Sequence, residues 1–306
     1  RVAIVEQPEW REWIQATDPD VILAGPSVEL DDGPTCPLDR VETNSPALIG
    51  YTSGTTGRPK GAVLTHGNLL SSVRGLEIAW RWTSSDTLIL ALPLFHMHGL
   101  GVGLHGSLTV GGRAVLLPEF NAEEVLDSIK EFEATMFFGV PTMYSRLLNS
   151  KKVNQLGDLR LCVSGSAPLS AEVHRKIHDA AGQHILERYG MTETAMLVSN
   201  PYVGERRPNS VGFPLPGVEV RIEGNPPEIQ VKGPNVFKGY WERPDENVDA
   251  FDDGWFRTGD LGAIDSDGYL AITGRAKELI ISGGFNVYPK EVEDVIMEHD
   301  AVQECA

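Results

Sequence analysis

The chain has 306 residues with 26 basic and 43 acidic side chains, a formal net charge of −17; 41% of it is apolar and 23% charged. Such a composition suits a soluble globular protein with one large core or two compact units, and the lack of any run of about 18 apolar residues excludes a membrane-spanning helix. The acidity argues against nucleic acid or an anionic membrane as partner, so an anionic ligand would have to be drawn in by a few local cations.

Residues 1–45 are loosely patterned, and 29–46, rich in Asp, Pro and Thr, read as a linker or surface loop. The chain starts at Arg1 without a Met or a signal peptide and reads as a piece of something longer. From residue 47 the pattern sharpens. Residues 47–51 predict a buried strand, followed by a Ser/Thr/Gly loop and a helix opening near Thr65 with Leu69, Leu70, Val73 and Leu76 at helical spacing. Strand-like runs follow at 87–94, 113–117, 135–140 and 159–164. Between them one helix starts from Asn121, a good N-cap, and runs through Val125, Ile129 and Phe132. Another runs from Ser170 through Val173 and Ile177 to a Gly182 stop. Strands alternating with helices of about ten to fifteen residues imply βαβ units and a parallel sheet covered on both faces.

After Pro201 the spacing shortens. Runs at 218–222, 228–232 and 269–273, separated by Gly, Pro and Asp turns, predict a small antiparallel, barrel-like unit packed on the α/β part. A strand at 278–282, a Gly-Gly turn and a helix with Pro289 in its first turn follow, with Val292, Val295 and Ile296 expected inward. The expected fold class is α/β. A core of βαβ-type sheets with the antiparallel unit appended occupies 1–274, and 275–306 hold a hinge at 275–277 and the start of a small mobile α+β domain. Cys36, Cys162 and Cys305 are widely spaced and odd in number. They fit a reducing compartment, with the cytoplasm expected and an organelle left open, rather than a disulfide framework or a zinc site. His96 and His98, two apart on a strand, and His174 and His178, four apart on a helix, lack a third metal ligand; a solvated helix face is the expected account of the second pair.

The richest stretch is Tyr51-Thr52-Ser53-Gly54-Thr55-Thr56-Gly57-Arg58-Pro59-Lys60-Gly61. Glycines let the backbone approach an anion, hydroxyls and N–H groups donate to it, and Lys60 adds charge. The Walker spacing is absent. By composition alone the stretch suits either a phosphate cradle or a plain turn between strand and helix.

That stretch resembles the signature loop of the adenylate-forming enzymes, the superfamily of acyl-CoA synthetases, peptide-synthetase adenylation domains and luciferases. Further motifs follow in that family's order: Ser164-Gly-Ser-Ala-Pro-Leu169, Tyr189-Gly-Met-Thr-Glu193, Gly254-Trp-Phe-Arg-Thr-Gly-Asp260, Gly274-Arg275-Ala-Lys277 and Ser282-Gly-Gly-Phe-Asn-Val-Tyr-Pro-Lys-Glu-Val-Glu293. The resemblance covers 51–293 and implies two steps. A carboxylate attacks the α-phosphate of ATP with release of pyrophosphate, and the thiol of coenzyme A then displaces AMP. It also implies roles. Thr52, Ser53, Gly54, Thr55, Thr56, Gly57 and Lys60 would hold the β- and γ-phosphates, Thr192 would donate to the α-phosphate, and Glu193 would hold Mg²⁺. Gly165, Ser166, Ala167 and Pro168, with Glu187, Tyr189, Gly190 and Met191, would wall the adenine. Asp260 would accept from the ribose hydroxyls and Arg275 would donate to ribose or phosphate. Lys60, Thr192, Glu193 and Arg275 form the expected catalytic set. Lys277 would be the hinge, and Ser282, Gly283 and Gly284 would pass along the pantetheine arm.

The resemblance also implies that the residue before Tyr189, here Arg188, lies near the acyl pocket, and Arg146 follows Val140-Pro-Thr-Met-Tyr-Ser on a helix expected to line the same pocket. Two guanidinium groups in a cavity suit a second carboxylate better than a fatty tail. Together with Pro93-Leu-Phe-His96-Met-His98-Gly-Leu100, whose His96 or His98 would cap the acyl site, and Gly233-Pro-Asn-Val-Phe-Lys-Gly-Tyr-Trp241, they resemble the malonyl-CoA synthetases and imply malonate or methylmalonate as the acid. A fatty or aryl acyl-CoA synthetase, and a nucleotide-binding remnant without turnover, are the rival readings; the partners in each case are small molecules. Two departures stand out. Segment 222–229 is shorter than the family's hairpin there. The family's second catalytic lysine would fall beyond Ala306, so residues 1–306 alone are expected to bind ATP or AMP and to adenylate poorly.

Overall fold

The computed structural model describes residues 2–4, 8–17, 19, 22–24, 40–52, 59–282, 285–297, 302 and 305. The chain divides into two compact units, Arg1–Val41 and Glu42–Ala306. In the first, β1 (Val2–Ile4) and β2 (Ile22–Ala24) pair in parallel and are joined through α1 (Pro8–Thr17), a small βαβ unit where the sequence pattern showed little.

The second unit opens on an antiparallel ribbon of β3 (Pro46–Thr52) and β4 (Lys60–Thr65), paired from Pro46↔Thr65 to Thr52↔Lys60. This corrects the expectation of a buried strand leading through a loop straight into a helix. β4 is flanked on its other side by the bridge Ala62↔Tyr240, so β3 is the edge strand and stays half-exposed, while Ala62 and Leu64 of β4 enter the core. α2 (His66–Trp80) then starts at Thr65. Thr65 Oγ1 accepts from Asn68 N (3.1 Å) and Asn68 Oδ1 accepts from Thr65 N (2.9 Å), so two orphan donors of the helix start are satisfied reciprocally. The Asn68 amide also donates to Pro234 O and Val236 O (2.7 and 2.8 Å), tying the helix to a distant loop.

The expected alternation follows: β5 (Thr87–Leu90), a π-helix His98–Leu104 running into α3 (His105–Val110), β6 (Arg113–Leu116), α4 (Ala122–Glu131), β7 (Met136–Gly139), α5 (Pro141–Leu147), β8 (Leu161–Ser164), α6 (Ala171–Ala181) and β9 (Leu186–Tyr189). Asn121 and Ser170 cap α4 and α6 through their side chains, and Gly182 ends α6 at φ 68°. β6-β5-β7-β8-β9 form a parallel sheet, and β10 (Val198–Ser199) and β11 (Phe213–Pro214) extend it antiparallel beyond β9. Successive strand residues feed opposite layers. Ile89, Phe137 and Cys162 pack toward α4, α5 and α6, whereas Leu88, Leu90, Met136, Phe138, Leu161 and Val163 pack toward Leu76 and Trp80 of α2. Burial pushes the Cys162 thiol up to about 12, which makes it an inert core residue.

Strand order places the site. β5 connects to β6 on one side and β7 connects to β8 on the other, so the sheet has a switch point between β5 and β7. Crevices outside the carboxyl ends at such points are where open α/β sheets take ligands. The residues that emerge there follow Leu90 and Gly139.

The expected antiparallel unit is present as a five-stranded sheet. It contains β12 (Glu219–Glu223) and β13 (Glu228–Lys232), then, after α7 (Pro244–Ala250), β14 (Phe251–Asp252), β15 (Trp255–Ile264) and β16 (Leu270–Arg275), ordered β12-β13-β15-β14 with β16 on β15. Segment 222–229 closes as a tight hairpin in which Glu223 pairs with Glu228. Ile229, Val231 and Phe256 meet Leu197, Phe237 and the ribbon's Ala62 and Leu64 in a third core. β17 (Ile280–Ser282), β18 (Phe285–Val287) and α8 (Pro289–Met297) follow. Val292, Val295 and Ile296 are exposed at 48%, 67% and 41%, against the expectation that they face inward, because no described element covers that side of α8. Among the described residues no helix is long and apolar enough to cross a membrane.

Candidate active site

The motifs converge at the carboxyl ends of β8 and β9, on the side of the sheet where the switch point opens. Ser164 ends β8, so the residues from Gly165 to Pro168 emerge at its carboxyl end; β9 contributes Glu187, Arg188 and Tyr189, and its following turn carries Gly190, Met191, Thr192 and Glu193. The antiparallel sheet faces them with Asp260 on β15 and Arg275 at the end of β16. Two adjoining cavities result, of about 1290 and 320 Å³. Thr52, Lys60, His96, His98, Met191, Thr192, Glu193 and Lys277 line the larger; Ala167, Pro168, Glu187, Tyr189 and Asp260 line the smaller. Ser166, Arg188, Gly190 and Arg275 line both. Ser166 adopts φ 71°, a left-handed conformation that a non-glycine residue holds only where its surroundings impose it. Ser53, Gly54, Thr55, Thr56, Gly57, Gly283 and Gly284 lie outside the described residues, and Ser282 ends β17.

The smaller cavity centres on a buried carboxylate. Asp260 Oδ2 accepts from the Tyr189 hydroxyl, and Asp260 Oδ1 pairs with Arg275 Nε at 3.0 Å. Burial raises the Asp260 pKa above its ordinary value, while the Arg275 charge and the Tyr189 hydrogen bond hold it back. Glu187 Oε2 accepts from Leu169 N (3.2 Å), which ties the loop after β8 to β9. With Val211 and Ile272 as apolar walls, the slot combines flat apolar contact with buried acceptors, as a base and its sugar hydroxyls would require.

In the larger cavity Glu193 is buried, and its Oε1 accepts from the Tyr240 hydroxyl at 2.8 Å. Burial raises its pKa, and the Tyr240 hydrogen bond opposes that rise. Among the described residues no group of three or more His, Cys, Asp or Glu could hold a metal ion by itself. A single carboxylate in a cavity that also presents Lys60 and Thr192 fits a hard cation that arrives with phosphate oxygens and keeps water in its remaining positions, which is the habit of Mg²⁺. The expectation of a solvated helix face holds for His178, which is exposed, and fails for His174. His174 is buried with Nε2 3.2 Å from Ile185 O, and His178 stacks on His184 with ring centroids 4.0 Å apart.

The acyl end differs from the sequence reading in two respects. His96 and His98 do not share a strand: β5 stops at Leu90, ahead of Pro93, and after a turn the chain enters the wide π-helix, so His98 is buried while His96 stays exposed beside Phe95. Arg146 does not line the cavity. On α5 the core takes Tyr144 and Leu147, which turns Arg146 outward, with its guanidinium 4.8 Å from the Phe120 ring centroid. Met143 is the α5 side chain in the cavity wall. The expected pair of arginines therefore reduces to Arg188, and this one is unusual. It is 5% exposed, Nε and Nη2 have no hydrogen-bond partner, and burial pulls its pKa down to about 9. Both ring nitrogens of buried His98 are unpartnered as well, and burial together with the Arg188 charge holds that imidazole neutral, its pKa well below the ordinary histidine value.

Tyr240 escaped the sequence reading as a site residue although it lies in the quoted 233–241 stretch; its partner Glu193 is 47 positions away, and no local spacing announces such a contact.

A family model described as AMP-binding enzyme matches residues 2–241. A mitochondrial malonate–CoA ligase of Mus musculus is 42% identical, the match covering 85% of this chain and 52% of that protein. A long-chain-fatty-acid–CoA ligase of Bacillus subtilis (strain 168) is 37% identical, covering 84% and 49%. The chain spans about half the length of the curated relatives it matches. Among solved structures, ATP-bound MatB from Rhodopseudomonas palustris matches with a TM-score of 0.89 at 44% identity, covering 98% of this chain and 63% of that one.

Proposed function

The chain belongs to the AMP-binding enzyme family, and on that premise we propose that it activates malonate or methylmalonate as the acyl adenylate and passes the acyl group to coenzyme A. The observation that carries the choice of acid is Arg188. A buried guanidinium with two unpartnered nitrogens is costly until an anion pairs with it, and a diacid brings that anion on the carboxylate that does not react. A fatty chain would leave the charge against hydrocarbon, which disfavours the reading that the long-chain relative's name suggests.

In this reading the nucleoside occupies the smaller cavity, with Asp260 accepting from the ribose hydroxyls and Arg275 close by. Lys60 and the loop before it hold the β- and γ-phosphates, and Thr192 donates to the α-phosphate. Arg188 and neutral His98 hold the distal carboxylate, so the near carboxylate points at the α-phosphorus; its oxygen forms the new P–O bond as the bond to pyrophosphate breaks. Mg²⁺ held at Glu193 would neutralise phosphate charge during that displacement. Residues 275–277, at the end of β16, are the proposed hinge for presenting the thiol of coenzyme A. The free Cys162 and Cys305 agree with a cytoplasmic, reducing location.

Pyrophosphate exchange by the full-length protein should be fastest with malonate or methylmalonate and slower with succinate, acetate and octanoate. Faster exchange with octanoate than with malonate would sink the diacid reading.

Gly165 gives a second test. A Cβ built there falls against Nε and Cζ of Arg188, well inside contact distance, so the glycine is the space in which the guanidinium lies. Because the obstructed atoms belong to a movable side chain, Gly165→Ala should displace Arg188 rather than the backbone. Malonate kcat/KM should fall about tenfold, in line with roughly 1–3 kcal/mol for overpacking, with AMP affinity changed by no more than about twofold. Equal loss of AMP and malonate binding would show that the loop itself had moved.

A further inference from the structure

Tyr240 stands between the two groups that Mg²⁺–ATP would have to engage together. Its hydroxyl donates to Glu193 Oε1 at 2.8 Å, and the Lys60 ammonium lies over its ring, 5.3 Å from the centroid. All three side chains line the larger cavity. The tyrosine is itself held from behind. Tyr240 N donates to Asn247 Oδ1 (2.6 Å), and Asn247 Nδ2 donates back to Tyr240 O (3.1 Å). Gly239 makes room for this clamp: its φ is 142°, and a Cβ there would lie 2.9 Å from Asn247 Oδ1.

The same segment is anchored to the backbone of both partners. Trp241 N donates to Gly61 O (2.8 Å), next to Lys60, and Phe237 N donates to Glu193 O (2.8 Å). Any displacement of this segment would therefore shift Lys60 and Glu193 relative to each other. A hydrogen bond to one carboxylate oxygen also fixes the rotation of the Glu193 head group, which an unanchored carboxylate in a cavity of this size would lack.

We infer that Tyr240 is a positioning residue: its hydroxyl orients Glu193 toward the cation and its ring seats Lys60, so that Mg²⁺ and the ATP phosphates are gripped as one unit. The inference rests on the reading of Glu193 as the Mg²⁺ holder. Tyr240→Phe keeps the ring and removes the hydroxyl, whereas Tyr240→Leu removes both. In the full-length protein, displacement of a fluorescent ATP analogue reads ATP binding without turnover, and bound Mn²⁺ can be counted by electron paramagnetic resonance. Tyr240→Phe should raise the Mg²⁺ concentration for half-maximal ATP binding about tenfold, the scale of one hydrogen bond to a charged group, and leave metal-free AMP affinity within about twofold. Tyr240→Leu should weaken metal-free ATP binding in addition, through the loss of the Lys60 seat. Glu193→Gln separates the two ideas. If it leaves the Mg²⁺ requirement unmoved, the reading of Glu193 falls and the inference with it. If it raises the requirement while Tyr240→Phe does not, only the inference falls. A parallel loss of AMP and Mg²⁺–ATP affinity in Tyr240→Phe would mark a merely structural role and overturn it as well.

Discussion

Replacing Arg188 by methionine should lower malonate-dependent pyrophosphate exchange by about 10²- to 10³-fold, the range expected when one partner of a buried charge pair is removed, and raise propionate relative to malonate. The reasoning is electrostatic and specific to this side chain. Arg188 sits on β9 with two unpartnered nitrogens and a pKa pulled down by burial, so its charge weighs against the folded state until an anion arrives. Malonate differs from propionate by a second carboxylate in place of a methyl group. Only the diacid gains from the guanidinium, and only the diacid should lose when it goes. Methionine keeps an unbranched stem of similar reach, so the cavity changes in charge far more than in shape. Thermal unfolding supplies the control. Since an unpaired buried charge is being removed, the midpoint should stay level or rise, which distinguishes this outcome from damage to the fold. A fall in malonate and propionate exchange by the same factor would mean that Arg188 does not read the distal carboxylate.

How much of this was legible in the sequence depended on how local each cause is. Asn121, Ser170 and Gly182 announce helix ends by side-chain and backbone preferences that act within one turn, and the structure has them at those ends. Glu193, Asp260 and Arg275 were singled out through motifs that resemble a family's, and the structure has all three lining the two cavities. The failures have non-local causes. Arg146 lies on a seven-residue helix, less than two full turns, and its facing is decided by the core's claim on Tyr144 and Leu147. The β3–β4 ribbon was misread because a strand's burial depends on which neighbour flanks it, and here the flank of β4 comes from Tyr240, far along the chain. The two-residue strands β10, β11 and β14 exist only through partners elsewhere in their sheets. His98 combines both problems, since a π-helix has no apolar period that a pattern search would seek, and its burial follows from Phe138 and Arg188 on separate strands.

The second large effect concerns the nucleoside. Asp260→Asn should weaken adenosine binding about 10- to 100-fold, because the amide can offer one acceptor where the carboxylate offers two and the Arg275 pairing is lost with the charge. The pH dependence carries more information than the loss itself. Burial raises the Asp260 pKa, and the ionised form is the one that accepts from two hydroxyls. Adenosine affinity in the wild type should therefore fall with decreasing pH at values above the ordinary carboxylate range; adenosine is the better probe than AMP because it lacks a phosphate that titrates nearby. The sign for stability is opposite. A carboxyl whose folded pKa lies above its unfolded value binds its proton more tightly in the folded state, so its ionisation costs stability as pH rises, and acid relieves that cost. Mild acid should thus loosen the nucleoside without loosening the fold on account of this residue. In Asp260→Asn the acid limb of adenosine binding should flatten. An acid limb that persists unchanged in the variant would assign the titration to another group and remove Asp260 from the ribose site.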